Sequence, residues 1–471
     1  MQRLKQALDP LGILTPGKLV GPLPEKERSA LNPFDDLALV EEEMAKCMKC
    51  GNCQAVCPLY KETLREAAVA RGKVQLAYAY LRGEIPATHS LAEKLLFCLT
   101  CMACVSNCPS GVRVDTVVLA ARAAMVREKG LPWVKKVIFQ GLKRPWFFDR
   151  ALKTGRRFQS LPLRYRPEIQ RCNPRFPIGL ELRRVLPPLA RKTLREEFPE
   201  VMQPVKARAR AAFFTGCLEN YIYTDTARAV VNVLLANDVE VIIPQDQHCC
   251  GIPTLVHGDV PVAREMAASN LQIFQRHNFD YLVVACATCG EAWKHFYPQL
   301  LENSFQGEAA RVMAARTRDI SELLLEIDYR RPAAGLPLKV TYHDPCHLVR
   351  GQGISNEPRQ VLRSIPGLEF REMKNADRCC GSAGSFSLTN YDMSMQVQAH
   401  KVAAIKATGA DTVVTGCPAC RMQLEDGLAQ AGLSPRVLHV VQVLEQAYVV
   451  KEVRGKRQEV GKACEPGPEP A

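Results

Sequence analysis

The apolar positions of this 471-residue chain change their period twice. Over residues 63–82 and 112–128, Ala, Leu, Val and Tyr recur at three- and four-residue spacing, which predicts amphipathic helices. From 131 to 210 no period holds, and Trp133, Trp146, Phe147 and Phe148 are scattered among prolines and basic residues. That stretch predicts short helices at most, within a linker. Beyond it, short apolar runs alternate with helical stretches, and the alternation happens twice. Residues 211–215, 239–243 and 281–285 read as strands separated by helices over 224–236 and 261–276; 339–342 and 412–415 read as strands of a second copy. Strand–helix alternation predicts parallel sheets whose ligand sites gather beyond the carboxyl ends of the strands.

The predicted fold class is therefore α+β and multidomain. Residues 1–39 read as an extension and Pro-rich connector, 40–130 as a helical domain, and 131–210 as a basic linker or docking segment. Residues 211–330 and 331–447 are the two α/β copies, and 448–471 reads as a disordered tail. No run approaches the ~18 apolar residues that span a bilayer, so membrane association is expected to be peripheral or through a partner.

Twenty cysteines change the picture. Cys47, Cys50, Cys53 and Cys57, followed by Pro58, repeat as Cys98, Cys101, Cys104 and Cys108, followed by Pro109. Three thiolates two residues apart wrap one cubane [4Fe-4S] cluster, and the fourth, redirected by proline, reaches its neighbour in two-cluster ferredoxins. On that rule one cluster uses Cys47, Cys50, Cys53 and Cys108, and the other Cys98, Cys101, Cys104 and Cys57. Such ligand spacings, with no secretory signal, point to a reducing cytoplasm rather than to disulfides.

Each α/β copy carries five more cysteines in one order: Cys217, Cys249, Cys250, Cys286 and Cys289, then Cys346, Cys379, Cys380, Cys417 and Cys420. The offsets between matching cysteines are 129, 130 and 131 residues, the mark of an internal duplication. Two metal sites are expected, each at one sheet edge. His248, His343 and His347 stand beside these cysteines; they read as buried supporting residues of the core, with ligation or hydrogen bonding to thiolate sulfur as the alternatives. The glycines at 351, 353, 381 and 384 let backbone approach a ligand but form no dinucleotide or phosphate-binding fingerprint. Cys172 has no ligand-spaced neighbour and reads as structural.

Net charge is +13, and residues 131–210, with 20 Lys plus Arg against 6 Asp plus Glu, account for the surplus. Thiolate-bound clusters would offset it. The readings for this segment are a solvated basic face and a docking surface for an acidic partner or anionic lipid. No nucleic-acid reader motif accompanies it, so no nucleic-acid partner is expected.

The paired Cys-x2-Cys-x2-Cys-x3-Cys-Pro motifs with helices between them resemble the two-cluster domain of succinate dehydrogenase iron–sulfur subunits. The five-cysteine sets resemble the CCG domains of heterodisulfide reductases and of glycolate, lactate and glycerol-3-phosphate dehydrogenase subunits. In order and in local sequence the chain most resembles the glycolate oxidase iron–sulfur subunit. Leu4 to Lys18 resembles the C-terminal end of FAD-linked oxidases, with Thr15 where those have Asn. The resemblance implies two [4Fe-4S] clusters and one or two further CCG-bound clusters, non-cubane as in heterodisulfide reductase. Spacers of 31 and 35 residues in the first copy and 32 and 36 in the second run slightly long, which keeps zinc open at one site. FAD is expected only in a partner oxidase subunit that oxidises a 2-hydroxy acid, with a quinone or electron-transfer protein as acceptor. Both CCG sets are complete, which leans toward heterodisulfide-reductase-like relatives; the alternative is reduction of a disulfide at a CCG cluster.

Overall fold

A computed structural model describes residues 32–176 and 179–455. The flavoprotein-like stretch and the end of the predicted tail lie outside the described residues.

The N-terminal unit is helical. Its two main helices are α1 (Ala70–Leu81) and α2 (Val114–Lys129). The run Val-Val-Leu-Ala-Ala-Arg-Ala-Ala-Met is apolar on almost every face, so α2 is a buried central helix. Val74, Ala77, Leu91, Leu95, Val117, Val118 and Ala121 pack around it. It ends at Gly130, whose φ of 72° with an extended ψ of 175° is a conformation open to glycine. The stretch predicted as one helix over 63–82 is broken: a helix over Pro58–Thr63 stops at Leu64, which sits at φ 54°, and α1 starts only at Ala70.

Residues 131–210 are more ordered than the sequence predicts. They form α3 (Trp133–Leu142), α4 (Pro145–Arg157) and an antiparallel hairpin of β1 (Leu163–Arg166) and β2 (Arg171–Pro174). Few anchors hold them. Phe139 and Leu142 turn inward from α3, and Phe148 of α4 sets its ring edge-on to Tyr221. The remaining large apolar side chains face outward, which hides the helical period. Cys172 is buried and its backbone pairs with that of Leu186, a structural position.

The duplicated half holds β3 (Val201–Met202), β4 (Ala209–Phe214), β5 (Val239–Ile242), β6 (Tyr281–Val284) and β7 (Thr317–Asp319) in the order β3-β5-β4-β6-β7. Its second sheet holds β8 (Lys339–His343), β9 (Glu369–Phe370), β10 (Thr412–Thr415) and β11 (Arg436–Leu438) in the order β11-β10-β8-β9. In both copies the chain's second strand lies outside its first, and the third and fourth follow on the other side. The second sheet is wholly parallel; the first adds β3 as an antiparallel edge strand, which a two-residue strand leaves no periodicity to reveal.

Helices α5 (Thr224–Ala236), α6 (Val260–Gln275), α7 (Tyr391–Thr408) and α8 (Val440–Gly455) complete the two copies. Packing between copies is reciprocal. The first helix of copy one, α5, lies on the last helix of copy two, α8, and the helix over Ile320–Glu326 lies on that over Asn356–Arg363. Phe213, Val230, Val283, Tyr342, Val414 and Leu444 share one core across both sheets. At roughly 1.5–3 kcal/mol per fully buried large apolar side chain, this shared core binds the copies into one body.

Candidate metal centres

Both ferredoxin-like loops enter short helices through left-handed residues, Gly51 at φ 86° and Met102 at φ 57°. Each turn curls backbone around a hollow toward which thiols point. Cys57, Cys98, Cys101 and Cys104 line one cavity of about 30 Å³, walled by Leu59, Ala68 and Ala70. Cys47, Cys50, Cys53 and Cys108 line a second of about 30 Å³, walled by Arg71 and Val74, with Cys104 at its border. Pro58 starts a helix directly after Cys57, and Asn107 Nδ2 donates to Asn52 O at 2.9 Å, holding the loops together. Burial pushes the Cys57 thiol up to about 12.

The five cysteines of each copy follow the carboxyl ends of that copy's own strands, and the two edges face each other. All ten line one cavity of about 690 Å³ between the copies. Helices carrying Cys217 and Cys289 face those carrying Cys420 and Cys346 respectively. The thiols neighbour one another in a line from Cys217 through Cys249, Cys250, Cys289 and Cys286. It crosses to Cys417 and continues through Cys420, Cys380 and Cys379 to Cys346. Cys379 shares a buried cluster with Cys101, so the N-terminal unit meets the same line. The neighbouring Cys379 thiol and burial hold Cys101 well above an ordinary thiol pKa. In each Cys-Cys pair the second thiol is pulled down by hydrogen bonds from its neighbours: Cys250 by Cys249 and Cys289, Cys380 by Cys379 and Cys420.

The three histidines part company. His343 is buried, neither ring nitrogen has a partner, and one lies within 4.8 Å of the Cys380 and Cys420 sulfurs. His347 lines the cavity, its Nδ1 against the Glu291 carboxylate. Burial opposes the charged ring, but Glu291 outweighs it and lifts His347 to about 9. His248 instead turns to Ser269, 2.9 Å from its Nε2, and does not line the cavity. Gly381, at φ 88°, is needed by the close approach of α7: a Cβ there would stand 2.5 Å from Ser394 O.

Residues 43–112 match the 4Fe-4S dicluster domain, and residues 211–292 and 340–425 match the cysteine-rich domain termed CCG. The chain is 31% identical over 446 residues to the probable glycolate oxidase iron–sulfur subunit of Bacillus subtilis, covering 90% of this chain and 98% of that protein. It belongs to the glycolate oxidase iron–sulfur subunit family. This family member is also 26% identical to one subunit of the dihydromethanophenazine:CoB–CoM heterodisulfide reductase of Methanosarcina acetivorans, over 86% of this chain and 94% of that one. A hypothetical protein of Helicobacter pylori shares the fold at a TM-score of 0.50 and 11% identity, covering 86% of this chain and 72% of that chain. The chain is thus an iron–sulfur electron-transfer subunit of an oxidoreductase.

The charges around the cysteines fit anionic clusters. Lys73 is buried in α1 with Nζ donating to Ala67 O and Lys94 O. Arg122 is buried in α2, its guanidinium donating to the carbonyls of Leu95, Leu96, Cys98 and Val256. Lys401 is buried in α7 on the carbonyls of Asn375 and Ala376. None is ion-paired to a carboxylate among the described residues, and each lies against cysteines. A buried cation without a counter-charge is costly, and a thiolate-held cluster supplies that charge. Glu219 is the opposite case, a cavity-lining carboxyl with both oxygens unpartnered, its pKa pushed well above the usual carboxylate range by burial and by Cys417. Sequence reading missed all four; the one available signal was the lone Arg122 inside the apolar run of α2.

Proposed function

We propose that this family member relays electrons from an FAD-linked 2-hydroxyacid dehydrogenase subunit, acting on glycolate or lactate, to a quinone or electron-transfer protein. Cys47, Cys50, Cys53 and Cys108 would hold one [4Fe-4S] cluster, and Cys57, Cys98, Cys101 and Cys104 the other. The two five-cysteine sets would hold one cluster each, with zinc at one site as the alternative; His343, beside Cys380 and Cys420, is a candidate ligand or hydrogen-bond donor to thiolate sulfur at the second set. When bound, such clusters take up and pass on single electrons. The chain's own residues provide the route. Cys50 is exposed at one end. Cys101 and Cys379 share one buried cluster where the N-terminal unit meets the duplicated half, Arg350 donates to Cys101 O across it, and that junction carries the reading. Arg122 spans the same junction from Cys98 O to Val256 O. The subunit would sit at the inner face of the cytoplasmic membrane without crossing it.

Mixing the anaerobically reconstituted chain with its substrate-reduced flavoprotein should produce EPR signals from reduced clusters. A chain that holds only zinc, or stays oxidised, would overturn the reading. A second reading, reduction of a disulfide in the space between the CCG sets, is favoured by the complete cysteine sets around one cavity. Disulfide turnover without a flavoprotein would select it.

A further inference from the structure

Nothing among the described residues covers the outer faces of α3 and α4. Phe139 of α3 is buried edge-on to the His257 ring, and Leu142 packs into the core. The other side of the helix is open: Trp133, Val134, Val137 and Ile138 are 76%, 47%, 61% and 53% exposed. Positions 133, 134, 137, 138 and 141 fall on one helical face. Gly141 extends that face, and the Phe147 ring of α4 rests on it, 3.5 Å from where a side chain would begin. Trp146 stands edge-on to Phe147 at 6.0 Å, and both rings are exposed. The six large side chains therefore make one continuous convex ridge.

Its surroundings are basic. The span 133–157 holds eight Lys and Arg and a single acidic residue, Asp149, which is engaged inward with Arg195 and Tyr221. Lys143 is paired to Glu265 and Lys153 to Glu196. Arg144, Arg150 and Arg157 are exposed and have no carboxylate partner among the described residues. Tryptophan on an apolar ridge, flanked by unpaired cations, is the composition of a helix lying in the headgroup region of an anionic bilayer. A protein interface of this size would more often deplete lysine and present a pocket for its aromatic anchors.

We propose that α3 and α4 form a membrane-docking hairpin that inserts this ridge into the surface of an anionic phospholipid bilayer. The proposal deepens the peripheral placement above and rests on that part of it alone. Docking has a geometric consequence. Lys135 and Phe139, on the inner side of α3, line the 690 Å³ cavity that all ten CCG cysteines share, so the hairpin sets one wall of that cavity against the lipid. A lipophilic electron acceptor would then reach the cavity from the bilayer.

Vesicle flotation tests this with the full reconstituted chain. Phosphatidylcholine vesicles containing about one third phosphatidylglycerol should carry the chain at low salt, and phosphatidylcholine alone should carry much less. Trp133 emission should shift to the blue on binding, whereas Trp293, already buried, should contribute no shift. The double variant Val137→Asp/Ile138→Asp should lose binding about tenfold or more, with cluster absorbance unchanged because both positions face solvent. Val137→Leu should keep it. Failure of the unaltered chain to float with anionic vesicles, or equal flotation of the Asp variant, would overturn the proposal. So would loss of flavoprotein binding by that variant with flotation intact, which would make the ridge a protein interface. Flotation reads lipid alone, so it fails separately from flavin-driven reduction.

Discussion

Cys108 follows the second motif in sequence but lines the cavity of the first. Cys108→Ser should therefore abolish the EPR signal of the cluster at Cys47, Cys50 and Cys53 before it disturbs the other; loss of only the Cys98–Cys104 signal would overturn the crossing. His257 makes a second residue-level prediction. Burial, with Lys135 and Arg122 nearby, depresses its pKa to about 3. The unfolded chain thus binds a proton near pH 6.5 that the folded chain refuses, so His257 contributes full stability above that pH and loses it as pH falls toward 3. His257→Gln can keep the bond to Ser385 Oγ, 2.9 Å from Nε2 in the native protein, while removing the proton. Anaerobic unfolding between pH 4 and 6.5 should show an acid limb shallower by about 1.4 kcal/mol per pH unit. An unchanged slope would refute the assignment.

At the scale of elements, the junction between the N-terminal unit and the first copy depends on one glycine. Gly258 sits at φ 87°, and a Cβ there would stand 2.5 Å from Arg122 O of α2. Gly258→Ala should cost roughly 2–4 kcal/mol by adding strain and pushing the units apart, read as a fall in melting temperature. Elements whose burial follows a period were legible in the sequence: α5 spans the predicted 224–236, and β10 the predicted 412–415. Others were illegible for physical reasons. β3 and β9 have two residues each, too short for alternation. In α3 and α4 the apolar side chains face outward, so the pattern that normally marks a core marks a surface instead. Cysteine spacing told which thiols belong to one loop or one copy. It carried no information on how the copies face each other, because Cys286 and Cys417, and Cys101 and Cys379, neighbours in the fold, stand 131 and 278 positions apart in sequence.

Across the whole molecule, the buried cations couple cluster content to folding. With the cysteines empty and protonated, Lys73 and Arg122 are left on backbone carbonyls and Lys401 on carbonyls and the Met373 sulfur, and an uncompensated buried charge costs about 3–5 kcal/mol. Oxidative removal of the iron should lower the melting temperature by well over 10 °C by scanning calorimetry, since about 1 kcal/mol corresponds to 2–4 °C in domains of this class. An apoprotein that melts with the holoprotein would contradict the charge balance. The proposed exchange of cysteines between loops would also constrain how the protein is made. A ribosome that has released only the first motif presents Cys47, Cys50 and Cys53 with a gap in the wall, and Cys57 aimed at a partner not yet synthesised. Iron delivered at that moment meets an incomplete site, so loading must wait until residue 108 has emerged and the two loops have closed on each other.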